Sequence, residues 1–200
     1  MTSVYSPTYE SVQGHANHDN VNREAVGFEE LVRCLLHLGA NPNYGPPQRH
    51  NLNATEASHS SGFALDHAAT ISTPRVVELL IAAGAKPECS VALHKAVEAP
   101  IELRNQRTMI EHLIKLGFEV DGMDDKVRGL YEKGSPLMCA TRRRLVGRAR
   151  VLLECGADPW LESRAGMSPA GEAERMGCGL LLELFREFSG KGGVVERDEL

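Results

Sequence analysis

The chain has 200 residues, of which 42% are hydrophobic but only 5% aromatic, and its formal charge is −5. This length allows one or two domains, and a core poor in aromatic residues suits stacked helices better than a β-sandwich. We expect no membrane segment, because no apolar run approaches the ~20 residues that a spanning helix needs. The first twenty residues show no secretory signal, so we expect a cytoplasmic or nuclear protein. The acidic charge disfavours nucleic acid as a partner.

The N-terminal part of the chain shows a clear helical pattern only in the second of its two predicted helices. Residues 1–18 are polar and aperiodic, and we predict a disordered segment. A first helix is predicted within residues 19–26 and a turn at Gly27 and Phe28. A second helix then presents Leu31 and Leu35 on an apolar face and ends at Gly39. Residues 43–61 form a long loop, which is either functional or disordered.

Residues 62–87 contain the clearest pattern of the sequence, two short helices in succession. The first is apolar at Leu65 and Ala68, and the second begins at Pro74, with Thr73 before it as a candidate cap. The second helix ends at Gly84, because glycine accepts the left-handed conformation that stops a helix. Such a helix pair is too small to bury its own apolar faces and needs neighbours of the same kind.

Those neighbours are present along the chain. The Leu-Leu-rich helix end closed by glycine occurs at Gly39, Gly84, Gly117 and Gly156, at intervals of 45, 33 and 39 residues. Three of the four ends continue as Ala-x-Pro. Leu93-His94 and Ser135-Pro136-Leu137 precede later copies, and Ser168-Pro169 opens a fifth. Residues 98–106 and 121–133 are polar insertions. Residues 189–200 form a polar tail, whose last four residues we do not interpret as a retrieval signal, although Arg-Asp-Glu-Leu is similar to Lys-Asp-Glu-Leu.

These repeats resemble the ankyrin repeat, a unit of about 33 residues with a Thr-Pro-Leu-His start. The resemblance implies an all-α ankyrin-repeat solenoid of about five repeats, several of them degenerate, over residues 19–188. It also implies that His94 bonds to backbone at a repeat boundary. A solenoid of this kind presents an extended concave surface, so the expected function is a non-catalytic protein–protein interaction module.

The resemblance also places a candidate partner-binding surface just after the first helix of each repeat. The residues carried over to it are Thr70, Ile71, Glu98, Ala99, Arg142, Arg143, Arg175 and Met176. Arg144 extends the run of arginines, which predicts docking of an acidic peptide or phosphate, since guanidinium groups pair bidentately with such groups. A solvated basic turn is the alternative. Arg148 occupies a position that usually holds valine, so we expect its guanidinium to reach solvent or a carboxylate.

A second candidate surface contains Trp160 and Leu161, where the family projects a finger loop. Exposed aromatic residues are enriched at interface hot spots. The alternative is that Trp160 packs on the adjacent finger or on Tyr131.

No motif of catalysis or metal binding occurs. The eight histidines form no His-x-x-x-His unit and the five cysteines no Cys-x-x-Cys pair. We therefore expect reduced thiols, no cofactor, no metal, no enzymatic activity and a monomer. The alternatives are an enzyme or enzyme-associated subunit with a site in the 43–61 or 121–133 loops, or an adaptor in a transcription or degradation complex.

Overall fold

The computed structural model describes residues 18–46, 60–100, 106–124 and 133–189. Within these ranges the structure is helical. The helices are α1 (His18–His37), α2 (Phe63–Ile71), α3 (Pro74–Ala82), α4 (Ala92–Glu98), α5 (Gln106–Lys115), α6 (Pro136–Arg142), α7 (Val146–Glu154), α8 (Pro169–Arg175) and α9 (Gly179–Ser189). None of the described helices is long and apolar enough to cross a membrane. Most of the predicted disordered segment, the C-terminal tail and the two long loops lies outside the described residues.

The helices form two rows. The inner row is α2, α4, α6 and α8, and each of these helices contacts the next. The outer row is α1, α3, α5, α7 and α9, again with successive contacts, and the helices of each later pair contact each other across the rows. The core lies between the rows and is built from Leu65, Leu93, Leu137, Ile110 and Leu152, all buried. This is the solenoid of paired helices that the repeats predicted.

Local signals set most of the helix ends. Gly39, Gly84, Gly117 and Gly156 all have φ between 88° and 95°, a conformation that glycine adopts without a steric penalty. Ser135 accepts a hydrogen bond from Met138 N and begins α6, as predicted. Ser168 caps α8 in the same way. Thr73 is the N-cap residue of α3 as predicted, but its side chain makes no capping hydrogen bond.

Buried and part-buried polar groups join neighbouring segments of the stack. The carboxylate of Asp66 accepts bonds from Ser90 Oγ and Val91 N, both at 2.8 Å. His94 Nε2 lies 2.9 Å from Gly134 O, which confirms the backbone bond expected at this repeat boundary. Asp124 accepts bonds from the backbone nitrogens of Lys133 and Gly134. These bonds fix the spacing between the pairs, since a buried polar group left without a partner is costly.

The first repeat differs from its prediction. No turn occurs at Gly27 and Phe28, and α1 is one continuous helix from His18 to His37. Glycine is compatible with a helix as well as with a turn, so Gly27 alone does not specify a turn.

Candidate functional site

The C-terminal ends of the inner helices lie side by side and bring most of the predicted partner-binding residues together. Glu98 ends α4, Arg142 ends α6 and Arg175 ends α8. Arg143 Nη1 donates to Glu98 O at 2.9 Å, and Arg144 Nη2 donates to Met176 O at 3.2 Å. We call this row of helix ends the basic ridge, and it is continuous from α4 to α8.

The basic ridge is organised around two carboxylates. Glu98, whose side chain is 11% exposed, lies 2.7 Å from Lys133 Nζ and 4.0 Å from Arg143 Nε. Burial alone would raise the pKa of Glu98, but the bond to Lys133 and the nearby positive charges outweigh it, and the pKa lies below its usual value. Glu98 is therefore ionised at neutral pH.

The second carboxylate belongs to Glu172, which is buried between two arginines. Arg175 contacts it through Nε at 3.0 Å and Nη2 at 2.7 Å, and Arg142 Nε lies 3.8 Å away. The bidentate bond from Arg175 lowers the pKa of Glu172, although burial opposes it. Each carboxylate thus faces two cations, so the contacts of the ridge carry an excess of positive charge.

Arg148 contributes to the ridge in a way that the sequence did not predict. Its guanidinium is part-exposed and makes no ion pair with a carboxylate among the described residues, and it donates to Val97 O at 2.6 Å and to the carbonyls of Ala99 and Pro100. These carbonyls lie in the last turn of α4 and just beyond it, where the carbonyls have no helical partner. Together with Arg143, Arg148 satisfies four consecutive carbonyls of the preceding repeat.

Of the remaining candidate residues, Ala99 is buried and its carbonyl is bonded by Arg148. Thr70 donates its hydroxyl to Asp66 O within α2, and Ile71 is half exposed at the end of that helix. No hydrogen bond or ion pair among the described residues joins Thr70 or Ile71 to the basic ridge.

Trp160 and Leu161 form a separate surface in the loop between α7 and α8. The indole of Trp160 is 53% exposed and donates from Nε1 to Ser189 Oγ at 3.0 Å. It borders a cleft of about 670 Å³ whose lining includes Leu153, Pro159 and Phe188. The predicted alternative contact with Tyr131 lies outside the described residues.

The described residues hold no group of three histidine, cysteine, aspartate or glutamate side chains placed to bind a metal ion. All five cysteines are free thiols. A second cleft, of about 340 Å³, lies between the start of α4 and the loop after α5, where Leu93, Phe118 and Met123 line it. Its histidine, His94, is the one already bonded to Gly134.

The two rows of helices and the row of arginines together define a class of protein, a solenoid of paired helices with an exposed basic ridge. Neither the protein-family models nor the curated proteins contain a match. Among solved structures, the chain is similar to the ankyrin repeat domain of Bcl-3, described as a unique member of the IkappaB protein family. The TM-score is 0.56 at 23% sequence identity, over 83% of this chain and 66% of that chain. The chain therefore has the ankyrin-repeat fold.

Proposed function

We propose that the chain is a non-catalytic protein–protein interaction module whose partner docks on the basic ridge. The observation that supports this is the set of arginine side chains at the ends of α6 and α8. Arg142, Arg143, Arg144 and Arg175 are all exposed, although each already makes a hydrogen bond. Each guanidinium has five donors in a fixed fork and so keeps donors for a ligand. The module comprises residues 19–188, with polar segments on either side.

The charge of the ridge favours an acidic peptide segment as the ligand. Carboxylate groups pair bidentately with arginine, and fixed positive charge speeds the encounter with an acidic partner. Thr70 and Ile71 extend the proposed contact along the inner row towards α2. Trp160 and Leu161 provide a second, apolar contact, because a half-exposed tryptophan beside a cleft is typical of an interface anchor. We place this activity in the cytoplasm or nucleus.

The experiment uses a short fluorescein-labelled oligoglutamate peptide as the probe in fluorescence anisotropy. Replacing Arg142, Arg143 and Arg144 by glutamine keeps polar side chains but removes three charges, and we expect at least about a tenfold loss of affinity. The matched control replaces Arg33, Arg75 and Arg186, which are exposed on the outer row, by glutamine. Equal weakening by both triple variants would show attraction to net charge only and would contradict the proposal.

The same variants decide whether a natural partner uses this surface. A pull-down from native lysate compares the wild type with a variant in which Arg142, Arg143 and Trp160 are replaced by alanine. We expect the partners retained by the wild type to be lost. Unchanged recovery of every partner would discard the surface. The alternative of a catalytic site in the 43–61 or 121–133 loops stays a prediction, because both loops lie largely outside the described residues.

A further inference from the structure

Helix α1 exposes a row of large apolar side chains at one end of the solenoid. Phe28, Leu31, Leu35 and Leu38 are exposed by 40%, 54%, 47% and 76%, and we call these four residues the α1 seam. Their spacing of three, four and three residues places them on one face of the helix. It is the spacing by which two helices pair in a coiled coil.

The other repeats show what normally covers such positions. Counted back from the glycine that ends each outer helix, Leu35 is equivalent to Leu80, Leu113 and Leu152. These three are only 0–6% exposed, because each outer helix packs against its own inner helix. Leu31 is equivalent to Val76 and Met109, which are 2% exposed. The seam therefore lies where the inner helix of the first repeat would be.

The start of α2 also lacks the inner helix that would precede it among the described residues. Phe63 is 53% exposed, whereas the residues two positions before the core leucine in the next two inner helices, Val91 and Ser135, are buried. Phe63 would be covered by an inner helix that precedes α2, and the described residues contain none. The seam and Phe63 thus border the same missing helix.

The opposite end of the solenoid is different in character. Apart from Leu180, α9 exposes the charged residues Glu183, Arg186 and Glu187. A polar outer face is what keeps a terminal repeat soluble. The described part of α1 exposes Glu30 and Arg33 as well, but the seam beside them is apolar, which favours contact of this end with another surface.

We propose that a second copy of this chain occupies the N-terminal end, with its α1 lying antiparallel on the α1 seam. The antiparallel orientation follows from the fold, since the short turns make each inner helix antiparallel to its outer helix. A second α1 in this orientation takes the place of the missing inner helix. At 20 residues it is the longest described helix, and it contains every seam residue except Leu38, which follows its last residue. This replaces the monomer expected from the sequence.

The apolar area is sufficient for a stable dimer. At about 200 Å² for a whole residue of this size, the exposed parts of the seam and Phe63 amount to roughly 500 Å² on each chain. Two chains would remove roughly 1,000 Å² of apolar surface from water. Because about 65% of a homodimer interface is apolar, the complete interface would reach roughly 1,500 Å², the size of a standard stable interface.

The two-fold symmetry fixes which residues face each other. In an antiparallel pair centred on the seam, Leu31 of one copy lies opposite Leu35 of the other. A charge at either position is then buried against leucine. Opposite charges at both positions instead form two ion pairs. A parallel pair would place like charges together, so the double variant identifies the orientation.

The test is sedimentation velocity on the full chain at concentrations up to about 100 μM. We expect the wild type to dimerise, and Leu31→Glu or Leu35→Lys to raise the dissociation constant at least about tenfold. The double variant should recover part of the affinity. Leu180→Glu, an equally drastic change at the opposite end, should dimerise as the wild type does.

Circular dichroism shows whether each variant is folded, and both seam positions are half exposed, so the single chain tolerates charge there. A wild type that is monomeric at every concentration overturns the proposal. So does a Leu31→Glu variant that dimerises normally, and a double variant without recovery overturns the antiparallel arrangement. The proposal is independent of the basic ridge, because Arg142→Gln leaves the seam intact and the Leu31 variants leave the ridge intact.

Discussion

Arg144 is the one described residue other than glycine with a left-handed backbone. Its φ is 55°, and the equivalent residue of the next repeat, Gly177, has φ of 62°. A side chain in this region of φ costs about 1–2 kcal/mol. Glycine avoids that cost, but part of the gain is lost because its unfolded chain has greater conformational freedom. Arg144→Gly also removes the exposed bond to Met176 O, so we expect it to raise the free energy of unfolding in urea by at most about 0.5–1 kcal/mol.

The neighbouring Arg143 is the matched control for this prediction. Its φ is −92°, which an ordinary side chain adopts without strain. Arg143→Gly should lower the free energy of unfolding, since it adds chain entropy and removes the bond to Glu98 O. If Arg144→Gly is no more stable than the wild type, the strain at this turn is absent.

Glu98 ties the stability of the basic ridge to pH. Because the pKa of Glu98 is lowered in the folded state, its contribution is complete above the ordinary glutamate value of 4.5 and is lost as the pH falls through the folded value. At neutral pH, Glu98→Gln should lower the free energy of unfolding by about 1–2 kcal/mol, the contribution of a hydrogen bond to a charged group. The difference from the wild type should shrink on acidification below pH 4.5.

Urea denaturation at a series of pH values measures that difference. Glu183→Gln, at an exposed position on α9, serves as the control and should behave as the wild type at each pH. A Glu98→Gln deficit that stays constant down to acid pH would show that shape rather than charge accounts for it.

At the scale of elements, the question in α1 is whether Gly27 is helical or forms a turn. Gly27 lies twelve residues before Gly39, as Arg144 lies twelve before Gly156, so the sequence predicted a turn there. In the structure α1 continues through Gly27, and a Cβ added to it meets no atom within 4 Å. Gly27→Ala should therefore raise the free energy of unfolding by about 0.5–1 kcal/mol and increase helicity by circular dichroism.

Gly177→Ala provides the opposite case. The space around Gly177 is equally open, but its φ of 62° makes a side chain unfavourable. This variant should lose roughly 1 kcal/mol of stability. Destabilisation by Gly27→Ala as well would mean that α1 does bend at this residue, as the sequence pattern had indicated.

At the scale of the whole molecule, the features readable from sequence are those that repeat. Gly84 and its three counterparts marked the outer helices, and Ser135-Pro136 marked the start of α6, because caps and stops depend on a few adjacent residues. The first repeat was mispredicted because glycine is compatible with a turn and with a helix, and α1 continues through Gly27. The basic ridge was only partly foreseen. The arginines were visible, but the contact of Arg142 with Glu172 and the carbonyl contacts of Arg148 join residues 30 to 51 positions apart in the chain.

Arg148 also determines how strongly the helices up to α5 are coupled to the helices from α6 onwards, the two halves of the solenoid. It extends from α7 to the end of α4, so it joins the third helix pair to the second across the insertion that follows Pro100. In a repeat protein, stability is the sum of repeat and interface contributions, and a weakened interface lets the two sides unfold separately.

Arg148→Met keeps the aliphatic length but leaves the carbonyls of Val97 and Ala99 without their donor. We expect a loss of about 2–3 kcal/mol and a broadened urea transition with a lower m-value. Arg150→Met removes the exposed ion pair with Glu187 and the cation–π contact with Phe188, and it should change the free energy by at most about 1 kcal/mol and leave the transition sharp. A single sharp transition in Arg148→Met, with stability like that of the Arg150 variant, would show that packing of α4 on α6 alone holds the halves together.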